Sequence, residues 1–203
     1  MDYDVFLAFA RSRRSIRRYA DNRVPRSQID RLIEAACWAP SNHNRQGWKF
    51  MVFDDPQEIR RLAEEVRDFV KRSVSNSPRL APGQAEEVVH YAGGFDQAPV
   101  VILVMHKKSP SIGRSLLQTA TSDLVSGEVL SAAMACQNLL LAAHAMGLGA
   151  CVMTAPLLAG EVWASLKDLP LGLEPTCLVT VGHPFETPDA PRRKRLEHVM
   201  EYR

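Results

Sequence analysis

Apolar residues recur along this chain at two periods, near 3.6 and near 2, and the switches between them mark out its elements. Residues 2–12 read as a short helix carrying Val5, Phe6 and Phe9 on one side. After a turn-rich stretch at 20–25, Ile29, Leu32, Ile33, Ala36 and Cys37 repeat at helical spacing. Ser27, with Asp30 three residues on, comes close to an N-terminal capping box. Pro40 ends that helix. Residues 48–53 read as a strand, and Pro56 opens another helix to about Lys71. The stretch 73–85 contains Ser, Asn, Pro and Gly and reads as a mobile loop. Residues 99–105 form a continuous apolar run, the pattern of a central strand. The stretch 107–118 is again loop-like. The longest helix is expected over 122–146, with Gly147 as its C-terminal cap. It is apolar around much of its circumference, so it should be buried on several sides, a subunit interface among them. A short strand at 149–153, a helix at 159–168, a strand at 176–181 and an extended basic tail at 184–203 complete the chain. Strands mix with helices without a regular βαβ repeat, which makes the expected class α+β. No internal repeat or interdomain linker appears, so residues 1–203 are expected to form one domain.

Composition narrows the picture only a little. A chain of 203 residues with 46% hydrophobic and 24% charged residues is ordinary for a globular protein, and a net charge of +2 argues for neither a nucleic-acid nor a membrane partner. No apolar run reaches bilayer length and the N-terminus lacks an apolar signal region, so the expected compartment is the cytoplasm. Cys37, Cys136, Cys151 and Cys177 are widely spaced in apolar surroundings, the pattern of buried free thiols in a reducing compartment. The charge is unevenly distributed. Residues 11–31 hold eight arginines against two aspartates, and the tail adds Arg192, Arg193, Lys194 and Arg195.

Arg13, Arg14, Ser15 and Arg17 together offer guanidinium forks and a hydroxyl, a donor set suited to phosphate oxygens. Alternation along an extended segment would put only some of them on one side. By itself such a cluster is more readily a solvated basic turn or a nucleic-acid patch. Ser41, Asn42, Asn44 and Gln46, after Pro40, supply amide and hydroxyl groups that both donate and accept. They suit the edge of a flavin ring, which alternates acceptors with an N–H, and equally suit a capped turn. Gly147-Leu148-Gly149 follows a helix rather than joining a strand to one, so the dinucleotide-binding context is absent. Thr154 and Ala155 would let backbone approach a planar ligand. No HExxH or paired Cys/His spacing points to a metal, and no GxSxG elbow or Walker loop is present.

The order of these motifs, rather than any one of them, resembles the FMN-dependent nitroreductase family. Arg13-Arg14-Ser15-Ile16-Arg17-Arg18-Tyr19 is followed by Ala39-Pro40-Ser41-Asn42 through Gln46 and Trp48. Asp96-Gln97-Ala98-Pro99 then leads into the apolar strand. Gly147 to Pro156, Gly182-His183-Pro184 and the basic tail complete the series. The resemblance covers nearly the whole chain. It implies a central mixed, mainly antiparallel sheet flanked by helices, in a domain-interlocked homodimer. Candidate lid segments would lie near 73–95 and 107–121. It also implies that Arg13, Ser15 and Arg17 hold the FMN phosphate and ribityl chain, Arg14 contributing partly through its backbone. Arg193 and Arg195 would close on the same phosphate. Pro40, Ser41, Asn42 and Asn44 would meet the flavin from the partner subunit, with Gln46 near them. Met153, Thr154 and Ala155 would line the isoalloxazine, with a backbone N–H directed at N5. Two positions depart from the family pattern: Gly47 stands where proline is usual, and Ala155 where glycine is common.

The activity so implied is that of an oxidoreductase working by ping-pong. NADH or NADPH passes hydride to FMN, and a nitroaromatic, quinone or similar electron-poor acceptor then takes the same place. No proton-transferring side chain would be indispensable. Dehalogenases, flavin-consuming enzymes and a non-enzymatic flavin carrier are the alternatives.

Overall fold

The computed structural model describes residues 2–75, 83–108, 126–167 and 169–203. Four strands, β1 (Trp48–Phe53), β2 (Val100–Lys107), β3 (Gly149–Met153) and β4 (Leu173–Gly182), form a sheet in the order β1-β2-β4-β3. All three pairings are antiparallel, with Trp48 opposite His106, Val100 opposite Val181 and Gly149 opposite Gly182. β2 lies inside the sheet and is covered on both faces, which is why its sequence is apolar without alternation. Val100, Ile102 and Val104 join one core with Cys177, Val179 and Val181 of β4. Val101, Leu103 and Met105 join the opposite one with Leu178. Among the described residues, one parallel bridge joins Ser15 to Ala150 at the outer edge of β3.

Helices cover both faces. A short N-terminal helix, α1 (Tyr3–Ser12), buries none of its residues. On the first face lies α2 (Arg26–Cys37), which buries Ile29, Leu32 and Ala36. On the second face lies α3 (Pro56–Val74), with Ile59, Leu62, Ala63, Val66 and Val70 buried at helical spacing. Asp55 caps α3 by accepting from Gln57 N, and Pro56 fits its first turn, where the missing N–H would have no partner. A further helix, α4 (Gln84–Gly93), packs on α3. Then α5 (Gly127–Ala145) returns to the first face against α2. Ser126 caps it, and Gly147 at φ 70° turns the chain out of it. The short α6 (Gly160–Ala164) buries Trp163 on the second face.

Several expectations change. α2 begins at Arg26 with Pro25 in the capping position, so Ser27 sits inside the first turn and makes no cap hydrogen bond. The carbonyl of extended Pro25 takes Gln28 N and Ile29 N instead. Cys37 is exposed, whereas the other three cysteines are buried; it lies one helical step round from Ala36, off the stripe that faces α5. The loop expected at 73–85 gives way to α4 from Gln84, and residues 76–82 and 109–125 lie outside the described residues. α5 buries one stripe only. Leu130 and Met134 on its outer side are 51% and 40% exposed. Among the described residues no helix is long and apolar enough to cross a membrane.

Candidate functional site

Residues 13–20 run first along the outer edge of β3 and then beside residues 183–185. Ile16 N donates to Ala150 O at 3.1 Å, Ala20 N to His183 O at 2.9 Å, and Phe185 N to Arg18 O at 3.0 Å. One carboxylate oxygen of Glu186 accepts from Arg17 N at 2.7 Å and from Arg18 N at 3.1 Å. The backbone of the segment is thereby committed to the scaffold, and its side chains are left for other work. Extended geometry sends them alternately to opposite sides. Ile16 is buried against Gly149, and a Cβ at Gly149 would lie 2.7 Å from Ile16. Arg14 turns back on α1, donating to Arg11 O at 2.6 Å and Arg13 O at 2.9 Å. Arg13, Ser15 and Arg17 act together on the Cys151 thiol. Burial pushes that thiol up, and Arg17, a hydrogen bond with Ser15, and Arg13 oppose the shift. The cluster thus divides in part: Arg17 and Ser15 act on Cys151 without Arg14, whereas Arg13 acts there and also shares the surroundings of His144 with Arg14.

Tyr19 anchors the segment from below. Its phenol donates to Ile16 O and lies 2.7 Å from Thr180 Oγ1, and burial pushes its pKa up, so it stays a neutral donor. Beyond Cys151 the edge continues through half-buried Met153 to exposed Thr154 and half-buried Ala155. This exit is pinned where buried Trp163 donates Nε1–H to Pro156 O at 2.8 Å.

The loop at 40–46 has unusual backbone. His43, Asn44 and Gln46 adopt φ of 51°, 54° and 48°, the left-handed region that residues with a Cβ seldom enter. Ser41 Oγ accepts from Gln46 N at 3.0 Å, and Gln46 Nε2 donates to Asn44 Oδ1 at 3.3 Å. Asn42 docks on the first turn of α5. Its N–H donates to Ser131 Oγ at 3.0 Å and its Nδ2 to Glu128 Oε1 at 3.4 Å, with Arg45 3.8 Å from the same oxygen. Sequence reasoning missed Gly127, Glu128 and Ser131. Their signal is a polar pair three residues apart in a helix that is otherwise apolar.

The arginine segment docks at the other end of the same helix, where Ser12 Oγ and His144 Nε2 are 2.7 Å apart. Burial, then Arg13 and Arg14, hold the His144 pKa below its usual value. Gly127 and His144 are seventeen positions apart in α5, which is about 25 Å at 1.5 Å per residue. One chain thus brings Arg13, Ser15 and Arg17 to the β3 edge, and places Pro40, Ser41, Asn42, Asn44 and Gln46 far from them. Arg193 and Arg195 stand on the exposed tail. Arg195 pairs with Glu197 at 3.2 Å, and among the described residues no hydrogen bond or ion pair joins either arginine to the 13–17 segment.

Fold and site define an α+β protein with a cationic edge strand and a polar loop at opposite ends of one long helix. A sequence model of the nitroreductase family matches residues 10–183, and the chain belongs to that family. Its fold is that of a nitroreductase with bound FMN from Bacteroides fragilis, with a TM-score of 0.71 at 18% identity over 97% of each chain. A candidate NADH dehydrogenase/NAD(P)H nitroreductase of Methanothermobacter thermautotrophicus is 28% identical over 180 residues, 88% of this chain and 76% of that protein. Iodotyrosine deiodinase 1 of Rattus norvegicus is 29% identical over 206 residues, 96% of this chain and 68% of that protein.

Proposed function

We propose that the chain is an FMN-dependent reductase that oxidises NADH or NADPH and reduces an electron-poor acceptor such as a nitroaromatic or a quinone. The observation that carries this reading is that Arg13, Ser15 and Arg17 stand on a segment whose backbone is already bonded to Ala150, His183 and Glu186, which leaves its side chains for a ligand. Two guanidinium forks and a hydroxyl suit a phosphate followed by a polyol. The small residues Thr154 and Ala155, next along the edge, leave room for a planar ring. The B. fragilis nitroreductase, with its bound FMN, supports the choice of ligand.

The same reading requires a homodimer. The polar loop and the arginine segment meet on one ligand only if they come from different copies, because about 25 Å of helix separates them within one chain. A two-fold axis beside the outer face of α5 would set the first turn of one helix beside the last turn of the other. Leu130 and Met134 supply an apolar face there, and Trp38, 82% exposed, extends it.

When bound, FMN would supply hydride transfer between a nicotinamide donor and the acceptor. The chain binds and orients it. Arg13 and Ser15 hold the phosphate end, and Arg193 and Arg195 close over it from the tail. Arg17 lies one alternation further along, where it holds the ribityl chain. Met153, Thr154 and Ala155 line the ring, and the partner's Asn42 and Asn44 meet its polar edge. No side chain has to move a proton, and the compartment proposed is the cytoplasm.

The purified protein should be yellow, and anaerobic NADH or NADPH should bleach it. Replacing Arg17 or Arg193 with alanine should weaken FMN binding about tenfold or more while sparing turnover at saturating FMN. Unchanged flavin affinity in both variants would overturn the assignment. Likeness to the deiodinase over 96% of the chain favours a second reading, reductive removal of halide from an aryl halide. Halide release from iodotyrosine, compared with nitroaromatic reduction under one donor, separates the two.

A further inference from the structure

Asn42 is gripped by three residues of the first turn of α5. Gly127 lets it come close, since a Cβ there would lie 2.9 Å from Asn42 Nδ2. Ser131 Oγ accepts from Asn42 N at 3.0 Å and donates to Gly127 O at 2.7 Å. Glu128 Oε1 accepts from Asn42 Nδ2 at 3.4 Å. Both polar residues are inside the protein, Glu128 3% exposed and Ser131 1%. Glu128 Oε2 has no hydrogen-bond partner among the described residues and rests against Gly47, where a Cβ would lie 2.7 Å away.

This arrangement fixes which way the carboxamide of Asn42 points. Glu128 Oε1 accepts from Asn42 Nδ2, so the carboxamide turns its NH2 toward Glu128 and its oxygen away. The charge of Arg45, 3.8 Å from the same Oε1, holds the carboxylate in place. The loop that carries Asn42 contains three residues in the left-handed region. Such backbone persists only where its surroundings enforce it.

We propose that Gly127, Glu128 and Ser131 form a positioning clamp that locks the Asn42 carboxamide with its oxygen outward, so that the loop reads an N–H or O–H donor on the ligand it meets. The clamp touches no ligand itself. It rests on the FMN reading above and adds to it the polarity that Asn42 presents.

A double-mutant cycle on the full-length FMN-loaded protein tests this. Asn42→Asp, Glu128→Gln and the pair are compared by FMN dissociation constant, from flavin fluorescence, and by the flavin visible spectrum. Asn42→Asp alone sets two carboxylates face to face and should weaken FMN binding about tenfold or more. Adding Glu128→Gln should recover most of that loss, because the introduced amide donates to the introduced carboxylate, which still offers an oxygen outward. Ser131→Ala, which removes the acceptor of Asn42 N and spares every charge, should weaken binding about fivefold with the dimer intact by sedimentation. A pair no tighter than Asn42→Asp alone, or Asn42→Asp and Ser131→Ala both binding like wild type, overturns the clamp. Arg17→Ala separates the two levels of failure. If it weakens FMN binding while the cycle shows no coupling, only the clamp is wrong; if it too changes nothing, the cofactor reading falls.

Discussion

Gly149→Ala tests how the arginine segment is seated. Gly149 opens β3, and its missing side chain is the space in which Ile16 packs. A Cβ there would lie 2.7 Å from Ile16 Cβ and Cγ2 and 2.9 Å from Cγ1. Ile16 is 8% exposed and β-branched, so it has little rotamer freedom with which to escape. The clash must push the segment off the strand edge and stretch the bond from Ile16 N to Ala150 O, now 3.1 Å. Overpacking costs about 1–3 kcal/mol and loss of one backbone hydrogen bond about 1 kcal/mol. For a chain of 203 residues this lowers the melting temperature by roughly 5–15 °C. Ser15 and Arg17 flank Ile16, so FMN affinity should fall in the same variant, by about tenfold if Arg17 shifts out of reach. Gly160→Ala is the control, because a Cβ there meets nothing within 4 Å. The assay is thermal unfolding at fixed protein concentration together with flavin titration. A Gly149→Ala protein that melts within about 2 °C of wild type and binds FMN equally well would refute this account of the segment.

Two further outcomes follow from the same contacts. Tyr19→Phe removes the phenol that donates to Ile16 O and meets Thr180, and should cost about 1–2 kcal/mol in urea unfolding; a loss below about 0.5 kcal/mol would show that the anchor is idle. Burial lowers the pKa of His106 and is the first cause at His144 too, so the unfolded chain takes up protons before the folded one does. Stability should therefore be full above the ordinary histidine value of 6.5 and fall as pH drops through it. His106→Gln should flatten that slope in melts between about pH 8 and 5, and a wild-type melting temperature that does not change over this range would contradict it.

How much of this was legible in the sequence depends on what each element buries. α3 shows five buried positions in one stripe and β2 is apolar throughout, so periodicity alone locates both. α4 buries only Ala92 and Gly93, and a helix with so small a buried face leaves almost no periodic trace. Pro25 displaced the expected cap because the turn before α2 fixes where helical backbone begins, and a Ser-x-x-Asp spacing does not record that. The arginines and the Pro40 loop stood out by composition and order. Their partners did not. Glu186 lies in a stretch that reads as part of a basic tail, and Glu128 sits in a helix read for its apolar residues. Each gains its role from a long-range contact, with Arg17 and Arg18 in one case and Asn42 in the other.

Those two carboxylates bear on how the site works. Four arginines within six residues repel one another, and an unheld segment would lose much of its binding strength in becoming ordered around a phosphate. Glu186 pins the backbone through two amide hydrogens and uses none of the guanidinium groups in doing so. Glu128 does the same for a loop whose left-handed residues would otherwise relax. Each half of the site is thus, on the proposed reading, held by an acid that is not itself a ligand group, as pre-organised sites require. On the proposed reading the halves meet only across two copies of the chain, because they dock at opposite ends of α5. Cofactor binding and dimerisation then share one free energy. FMN must tighten dimerisation by the same factor by which dimerisation tightens FMN, and at low protein concentration a variant that loosens the outer face of α5 should loosen the flavin as well.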